Sequence, residues 1–146
     1  MREVFTRDFA YPVLIEATGE GDFIARVAEL PEVLTGGGTE EEALAQVQDA
    51  LEEAVLARLA NGLPVPTPGE RTEARAVALL PPITAGRVLI DERRRREGWS
   101  KLELGRRIAK DEKVVRRILD GRGGVSMTTV LEALTALGFA TTLAWR

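Results

Sequence analysis

The sequence predicts an α+β protein in which a small sheet with one helix precedes a helical part. One observation is a series of short alternating apolar segments, separated by turn residues, between Tyr11 and Thr35. A second is a helical pattern that opens at Thr39 and stops at Asn61-Gly62. A third is a set of good helix N-caps in the C-terminal part, at Ser100, Asp111 and Ser126.

The alternating segments predict four strands in the N-terminal part. Residues 11–17 and 23–27 flank the turn residues 19–22, so we expect them to pair as a hairpin. A third strand is predicted over residues 30–35, with Pro31 near its start, and a fourth over residues 74–80. The three consecutive glycines at 36–38 predict a flexible connection between the third strand and the following helix.

The first helix is predicted over residues 39–60. Thr39 and Glu42 have the spacing of a capping box, in which each side chain bonds to the other residue's backbone N–H. Five apolar residues recur at helical spacing and predict the buried face: Leu44, Val47, Leu51, Ala54 and Val55.

The C-terminal part is predicted to begin with a helix over residues 84–97 that ends at Gly98. Three shorter helices follow, and residues 139–145 alternate like a final strand. Pro81-Pro82 separates the two parts, so the sequence predicts one domain over residues 1–82 and another over residues 83–146.

Composition narrows the possible functions. The chain has no cysteine and no histidine, which excludes thiolate chemistry and removes the commonest general base and metal ligand. Residues 1–82 hold 6 Lys/Arg and 15 Asp/Glu, a net charge of −9, whereas residues 83–146 hold 14 and 8, a net charge of +6. Opposite charges on two segments indicate two different partners, with nucleic acid suited to the basic one.

Residues 100–121 predict a helix-turn-helix unit. Ser100 and Glu103 form a second capping box, and Trp99 is placed to pack on Leu104 as a hydrophobic staple. Gly105 would allow a close approach of the second helix, which begins after Asp111. The buried positions of the two helices are expected at Leu104, Ile108, Val115 and Ile118.

The exposed side of the second helix is the predicted DNA-reading surface. Arginine pairs bidentately with guanine, and a carboxylate can accept from cytosine. The predicted base-reading residues are Glu112, Lys113, Arg116 and Arg117, with Glu112 as a possible cytosine acceptor. Three further cations are predicted to bind phosphates: Arg106, Arg107 and Arg122.

Two features of this basic part allow alternative interpretations. The turn carries Ala109 and Lys110, where such turns usually have glycine and then an apolar residue. Either the turn geometry differs, or Ala109 adopts a less favourable backbone conformation. Residues 93–96 are four consecutive arginines, typical of a solvated helix end near the negative end of the helix dipole, with phosphate contact as the alternative.

The acidic part shows no catalytic pattern. Glu16, Asp22 and Glu29 lie on or near the predicted hairpin, but their spacing matches no metal motif. We expect no metal, no cofactor and no enzymatic activity. No apolar run approaches a membrane span and residues 1–4 do not begin a signal peptide, so we expect a cytoplasmic protein.

The N-terminal half resembles the HicB antitoxins of HicAB toxin–antitoxin systems. The similar segments are residues 11–13, the hairpin through residues 21–23, and residues 30–43 (LPEVLTGGGTEEEA), continuing to the proline loop. The C-terminal part is similar to the HicB branch with a helix-turn-helix. This resemblance implies a truncated ribonuclease H fold that binds a small basic HicA-type ribonuclease toxin, and a second domain that dimerises and binds operator DNA to regulate its own operon.

Five carboxylates are the predicted toxin-binding residues: Glu40, Glu41, Asp49, Glu52 and Glu53.

A lone strand after a helical domain has unpaired edges, so we expect residues 139–145 to pair with the same strand of a second copy. Two alternatives remain open. One is a one-component helix-turn-helix regulator with an N-terminal ligand-sensing domain, and the other is a nucleic-acid-processing enzyme, which the missing histidine and cysteine disfavour.

Overall fold

An antiparallel sheet and a group of helices make up the computed structural model, which describes residues 7–70, 76–121 and 123–142. The strands and helices of this described part confirm the predicted α+β class. In chain order they are β1 Ala10–Ala17, β2 Phe23–Arg26, β3 Leu34–Gly37, α1 Glu40–Ala60, β4 Ala76–Leu79, α2 Pro82–Glu97, α3 Lys101–Ile108, α4 Glu112–Asp120 and α5 Met127–Ala136.

The sheet has the order β3-β2-β1-β4, and every neighbouring pair is antiparallel. β1 and β2 form the predicted hairpin, in which Thr18 N donates to Asp22 O over 2.9 Å. Gly19 and Gly21 in this turn have φ of 88° and 93°, which side-chain-bearing residues rarely adopt. The predicted fourth strand is present as β4, and residues 71–75 of the chain lie outside the described residues.

The third strand begins four residues later than predicted. Leu30 and Val33 are buried, and Val33 N donates to Leu30 O over 2.8 Å, so this segment is a tight turn. Gly36 and Gly37 belong to β3, so the prediction of a flexible glycine connection is wrong. A Cβ added at Gly37 would lie 2.7 Å from Ala43 N, which shows how closely β3 approaches the first turn of α1.

α1 begins at a partly predicted cap. Glu42 N donates to Thr39 Oγ1 over 3.1 Å as expected, but the Glu42 carboxylate accepts from Gly38 N, one residue before its predicted partner. The buried face of the helix is Ala43, Val47, Leu51, Val55 and Leu59. Leu44 and Ala54, which were predicted to be core positions, are only half-buried because the apolar stripe is rotated slightly around the helix.

The structure divides into two compact units. Unit 1 contains the described residues of Met1–Ala54 and Pro66–Leu80, and unit 2 those of Val55–Val65 and Pro81–Arg146. The last part of α1 therefore groups with the helical unit, and the predicted boundary after residue 82 stays a prediction.

Unit 1 consists of the sheet with the first part of α1 on one face. Its core contains Tyr11 and Val13 of β1, Ala25 of β2 and Val47 of α1, all fully buried. The Tyr11 hydroxyl donates to Pro66 O over 2.6 Å, which holds the proline loop against the sheet. Gln48 of α1 occupies the outer edge of β4, because its side-chain amide donates to Leu79 O and accepts from Leu79 N.

Unit 2 is built around one apolar cluster to which α2, α3, α4 and α5 all contribute. The cluster includes Ile90 of α2, Leu104 of α3, Ile118 of α4 and Leu134 of α5. α2 begins at Pro82, two residues before the predicted start, because a proline in the first helical turn loses no intrahelical hydrogen bond. It ends at Gly98 (φ 70°) as predicted.

The chain after α5 does not form the predicted strand where the structure describes it. Gly138 has φ of 86° and Phe139 N donates back to Leu134 O over 2.9 Å, which closes the end of α5. Residues 139–142 carry no strand, and the rest of the predicted segment, residues 143–145, lies outside the described residues. No helix in residues 7–70, 76–121 and 123–142 is both long and apolar enough to cross a membrane.

Candidate functional site

The α3–α4 pair starts from two side-chain caps. Glu103 N donates to Ser100 Oγ over 3.1 Å, and Val114 N donates to Asp111 Oδ1 over 3.0 Å. The Glu103 carboxylate, predicted to complete a capping box, accepts from Arg107 Nε at 2.8 Å. These caps fix where each helix begins, and they leave a connection of only three residues between the helices.

In the turn between α3 and α4, Ala109 adopts the less favourable backbone conformation, which was one of the two alternatives that the sequence left open. Ala109 has φ 53° and ψ 44°, and it is the one residue other than glycine with a positive φ in the described part of the chain. Lys110 N donates to Gly105 O over 3.0 Å, as is usual where an α-helix is closed by one residue in the left-handed conformation. The turn therefore keeps a sharp geometry, and Ala109 carries its strain.

Gly105 is where α3 and α4 come closest. A Cβ at this position would lie 2.9 Å from Lys110 O and 3.3 Å from Val115 Cγ2. The predicted close approach is therefore present, and the small residue sets how tightly the two helices cross.

α4 turns one face to the core and the other to solvent. Val115, Ile118 and Leu119 are buried, as the sequence predicted for the first two. The four predicted base-reading residues are all exposed, and together with Asp120 they line a shallow groove: Glu112, Lys113, Arg116 and Arg117. The helix thus brings three cations and two carboxylates together on a single surface.

The cations of this surface differ in their bonding. Arg116 Nη2 donates to Glu112 Oε1 over 2.7 Å, an ion pair that the i, i+4 spacing could have indicated. Lys113 and Arg117 form no ion pair or hydrogen bond within the described residues. They are therefore the two α4 cations that can meet an anion without first losing a partner.

The predicted phosphate-binding arginines lie on α3 and after α4. Arg107 bonds to Glu103 and lies over the Trp99 ring, with 4.8 Å from Cζ to the ring centroid. Arg106 Nη1 is 3.7 Å from Glu103 Oε2, and its side chain is 71% exposed. Arg122 lies outside the described residues.

Three of the four consecutive arginines at the end of α2 are bonded within unit 2. Arg94 and Arg95 both pair with the buried Asp91, at 3.1 and 2.8 Å. Arg93 donates to Leu137 O over 3.1 Å. Arg96 is exposed. This bonding favours the interpretation as a helix end over the phosphate alternative, because most of these cations already have anionic or carbonyl partners.

The predicted toxin-binding carboxylates lie on α1, and four of the five share a face. Asp49 is eight residues after Glu41 and three and four residues before Glu52 and Glu53, which places the four on the side away from Ala43, Val47 and Leu51. Glu40 lies in the first turn on the other side of the helix. We call the group of four the acidic helix face.

The carboxylates that were considered as metal ligands are apart from one another. Glu16 Oε1 accepts from Arg26 Nη2 over 2.9 Å, and Glu29 Oε1 accepts from Gly69 N over 2.8 Å. Asp22 is exposed in the hairpin turn. Within the described residues no group of three or more potential ligands comes together.

The fold and these surfaces define a small α+β protein with an acidic sheet-and-helix unit and a basic helical unit. No protein-family model matches the chain. It is similar to "Antitoxin HicB 2" of Photorhabdus laumondii, with 32% identity over 133 residues, 91% of this chain and 94% of the relative. It is also similar to "Antitoxin HicB" of Pseudomonas fluorescens, with 36% identity over 76% of this chain and 77% of that one. "Antitoxin HicB" of Escherichia coli K12 is 27% identical over 88% of this chain and 93% of the relative.

The chain therefore belongs to the HicB antitoxin family, and the resemblance noted in the sequence is confirmed.

Proposed function

We propose that this chain is the antitoxin of a toxin–antitoxin pair, with a protein-binding unit and a DNA-binding unit. Unit 1, with the truncated ribonuclease H arrangement implied by the resemblance, binds and neutralises a small basic HicA-type ribonuclease. In unit 2, α3 and α4 act as a helix-turn-helix that binds operator DNA as a homodimer and represses the operon. The protein acts in the cytoplasm.

One observation carries the DNA-binding half of this proposal. Lys113, Arg116 and Arg117 lie together on the exposed side of a capped helix whose opposite side is fully buried. A short rigid helix with such a surface fits the major groove and can offer hydrogen-bond donors to guanine. The net charge of +6 on residues 83–146 adds the favourable phosphate term.

The toxin-binding half rests on family membership and on charge. The relatives are named antitoxins, and residues 1–82 carry a net charge of −9. A ribonuclease toxin needs cationic groups to hold RNA, so an acidic partner can compete for the same surface.

DNA binding is tested with the full chain and the DNA upstream of its own reading frame. Fluorescence anisotropy is measured against this DNA and a random-sequence duplex of equal length, at several salt concentrations. The variant Lys113→Ala/Arg117→Ala is compared with Arg96→Ala/Lys101→Ala, which removes the same charge from exposed positions outside α4. We expect the first variant to lose specific binding by about tenfold or more and the second to lose much less. Equal losses in the two variants would contradict the assignment of α4.

Toxin binding is tested by expressing the chain together with the product of the adjacent reading frame. We expect the two proteins to co-purify and RNA cleavage by the partner to stop at equimolar antitoxin. An adjacent product that neither binds the full chain nor is inhibited by it would contradict the antitoxin role.

A further inference from the structure

The sheet of unit 1 has one face that α1 does not cover. The strand register places Ile24 of β2, Leu34 of β3 and Leu79 of β4 on the side opposite the buried Tyr11, Ala25 and Ala78. The half-buried Leu14 and Val77 lie between them on the central and edge strands. We call this surface the outer sheet face: Leu14, Ile24, Leu34, Val77 and Leu79.

The exposure of these side chains is high for apolar residues. Ile24 is 38% exposed, Leu34 62% and Leu79 58%. They are three of the five exposed large hydrophobic residues in the described part of the chain; the other two, Leu63 and Leu102, lie in unit 2. Ile24 and Leu34 lie diagonally across neighbouring strands, and the half-buried Leu14 and Val77 link them to Leu79 at the other end of the face. Linked apolar residues of this kind mark an interaction site more often than scattered single residues do.

The charges around the outer sheet face favour a basic occupant. Glu16 lies on this face beside Ile24, and Glu20 and Asp22 are exposed at the hairpin turn that borders it. The cation described on this face is Arg26, which is bonded to Glu16. A second copy of the chain would bring like charges together here, whereas a cationic protein would be attracted.

We propose that the outer sheet face is the docking site for the small basic protein that this antitoxin neutralises, with Ile24, Leu34 and Leu79 as its apolar anchors. This inference rests on the proposed function. Ala43, Val47 and Leu51 pack α1 against the other side of the sheet, so the acidic helix face points away from the docked protein. The anchors therefore set the lifetime of the complex, and the acidic helix face only accelerates the encounter.

The test uses the full chain and the purified product of the adjacent reading frame. In the sheet variant, Ile24, Leu34 and Leu79 are each changed to Thr, a β-branched residue that strands favour and that removes apolar area. The matched control changes the two exposed leucines of unit 2, as Leu63→Thr/Leu102→Gln. Association and dissociation rates are measured by surface plasmon resonance, after thermal unfolding has shown that both variants fold.

We expect the sheet variant to dissociate about 100-fold faster, because each lost anchor contributes about fivefold or more, while its association rate stays within about threefold. The control should match the wild type. If the triple variant does not fold, the single change Leu34→Thr at the most exposed anchor should raise the dissociation rate about fivefold or more.

Three results would overturn the inference, and each differs from the others. A sheet variant that binds like the wild type would leave the antitoxin role intact and place the docking site elsewhere. A wild-type chain that does not bind the product would remove the proposed function itself. Sedimentation showing that the wild type self-associates and the sheet variant does not would assign the face to a second copy of the chain.

Discussion

Arg116 Nη2 lies 2.7 Å from Glu112 Oε1, one turn away on the exposed side of α4. The two side chains are 63% and 66% exposed, so their pairing adds only about 0.3–0.5 kcal/mol to the stability of the free protein. The pair matters more for the proposed binding, since DNA would have to separate the two groups or accept Arg116 in the position that Glu112 gives it.

This pairing leads to a double-mutant experiment on operator binding. We expect Arg116→Ala to weaken specific binding by about 1–3 kcal/mol, the usual cost of losing a guanine contact. If Glu112 acts by positioning Arg116, Glu112→Gln should have an effect in the wild type and almost none in Arg116→Ala. Anisotropy with the four proteins measures this coupling. Equal effects of Glu112→Gln in both backgrounds would instead assign Glu112 a base contact of its own, as with cytosine.

The left-handed conformation of Ala109 makes a stabilising substitution available. The conformation costs a non-glycine residue about 1–2 kcal/mol, and glycine avoids this cost. Glycine also has a freer unfolded state, which takes back about 0.5–1 kcal/mol of the gain. We expect Ala109→Gly to raise the free energy of unfolding by about 0.5–1 kcal/mol in urea denaturation.

The matched control for Ala109 is an exposed alanine inside a helix of the same unit. Ala57→Gly in α1 should lower the free energy of unfolding by about 1 kcal/mol, the ordinary helix-propensity cost of glycine. A loss of stability in Ala109→Gly similar to that in Ala57→Gly would mean that Ala109 is not strained in solution.

The close approach at Gly105 predicts that a substitution there lowers the free energy of unfolding, in contrast to Ala109→Gly. Gly105→Ala would place a methyl group 2.9 Å from Lys110 O, so we expect a loss of about 1–3 kcal/mol in unfolding free energy and weaker operator binding. Gly124→Ala is the control, because a Cβ at Gly124 meets no atom within 4 Å. A Gly105→Ala protein as stable as Gly124→Ala would contradict the tight crossing of α3 and α4.

The acidic helix face should affect how fast the toxin associates. We expect the changes Glu41→Lys, Asp49→Lys and Glu53→Lys together to slow association about tenfold at low salt. The difference should nearly vanish at about 0.5 M salt, where the Debye length is only a few ångströms. Operator affinity, measured in parallel, should stay within about twofold. An association rate that is unchanged at low salt would show that this face does not steer the toxin.

Local signals made much of the helical unit predictable. Ser100, Asp111 and Ser126 all cap the helices expected of them, because a short polar side chain before an apolar pattern satisfies the free N–H groups. The spacing of Val115 and Ile118 fixed which side of α4 faces solvent, and so fixed the candidate DNA-binding surface. What these signals did not show is which cations are already bonded, as Arg94 and Arg95 are to Asp91.

Tertiary contacts decided the features that the sequence did not predict. β3 includes Gly36 and Gly37 because pairing with β2 and the nearby first turn of α1 outweigh the low strand propensity of glycine. The outer sheet face was missed because alternation along one strand does not tell which side a helix will cover. Only the register across the strands places Ile24, Leu34 and Leu79 on the same side.

The bond between Gln48 and Leu79 also limits how copies of the protein can join. A molecule whose sheet accepts strands on both sides can link to its neighbours without end and form filaments. Here a side-chain amide takes the place of a neighbouring strand at the border of β4. Strand addition is hindered at this edge of the sheet and favoured at the edge of β3, and a junction that uses one edge only closes after two molecules. The protein is therefore less prone to polymerise through this sheet at high concentration.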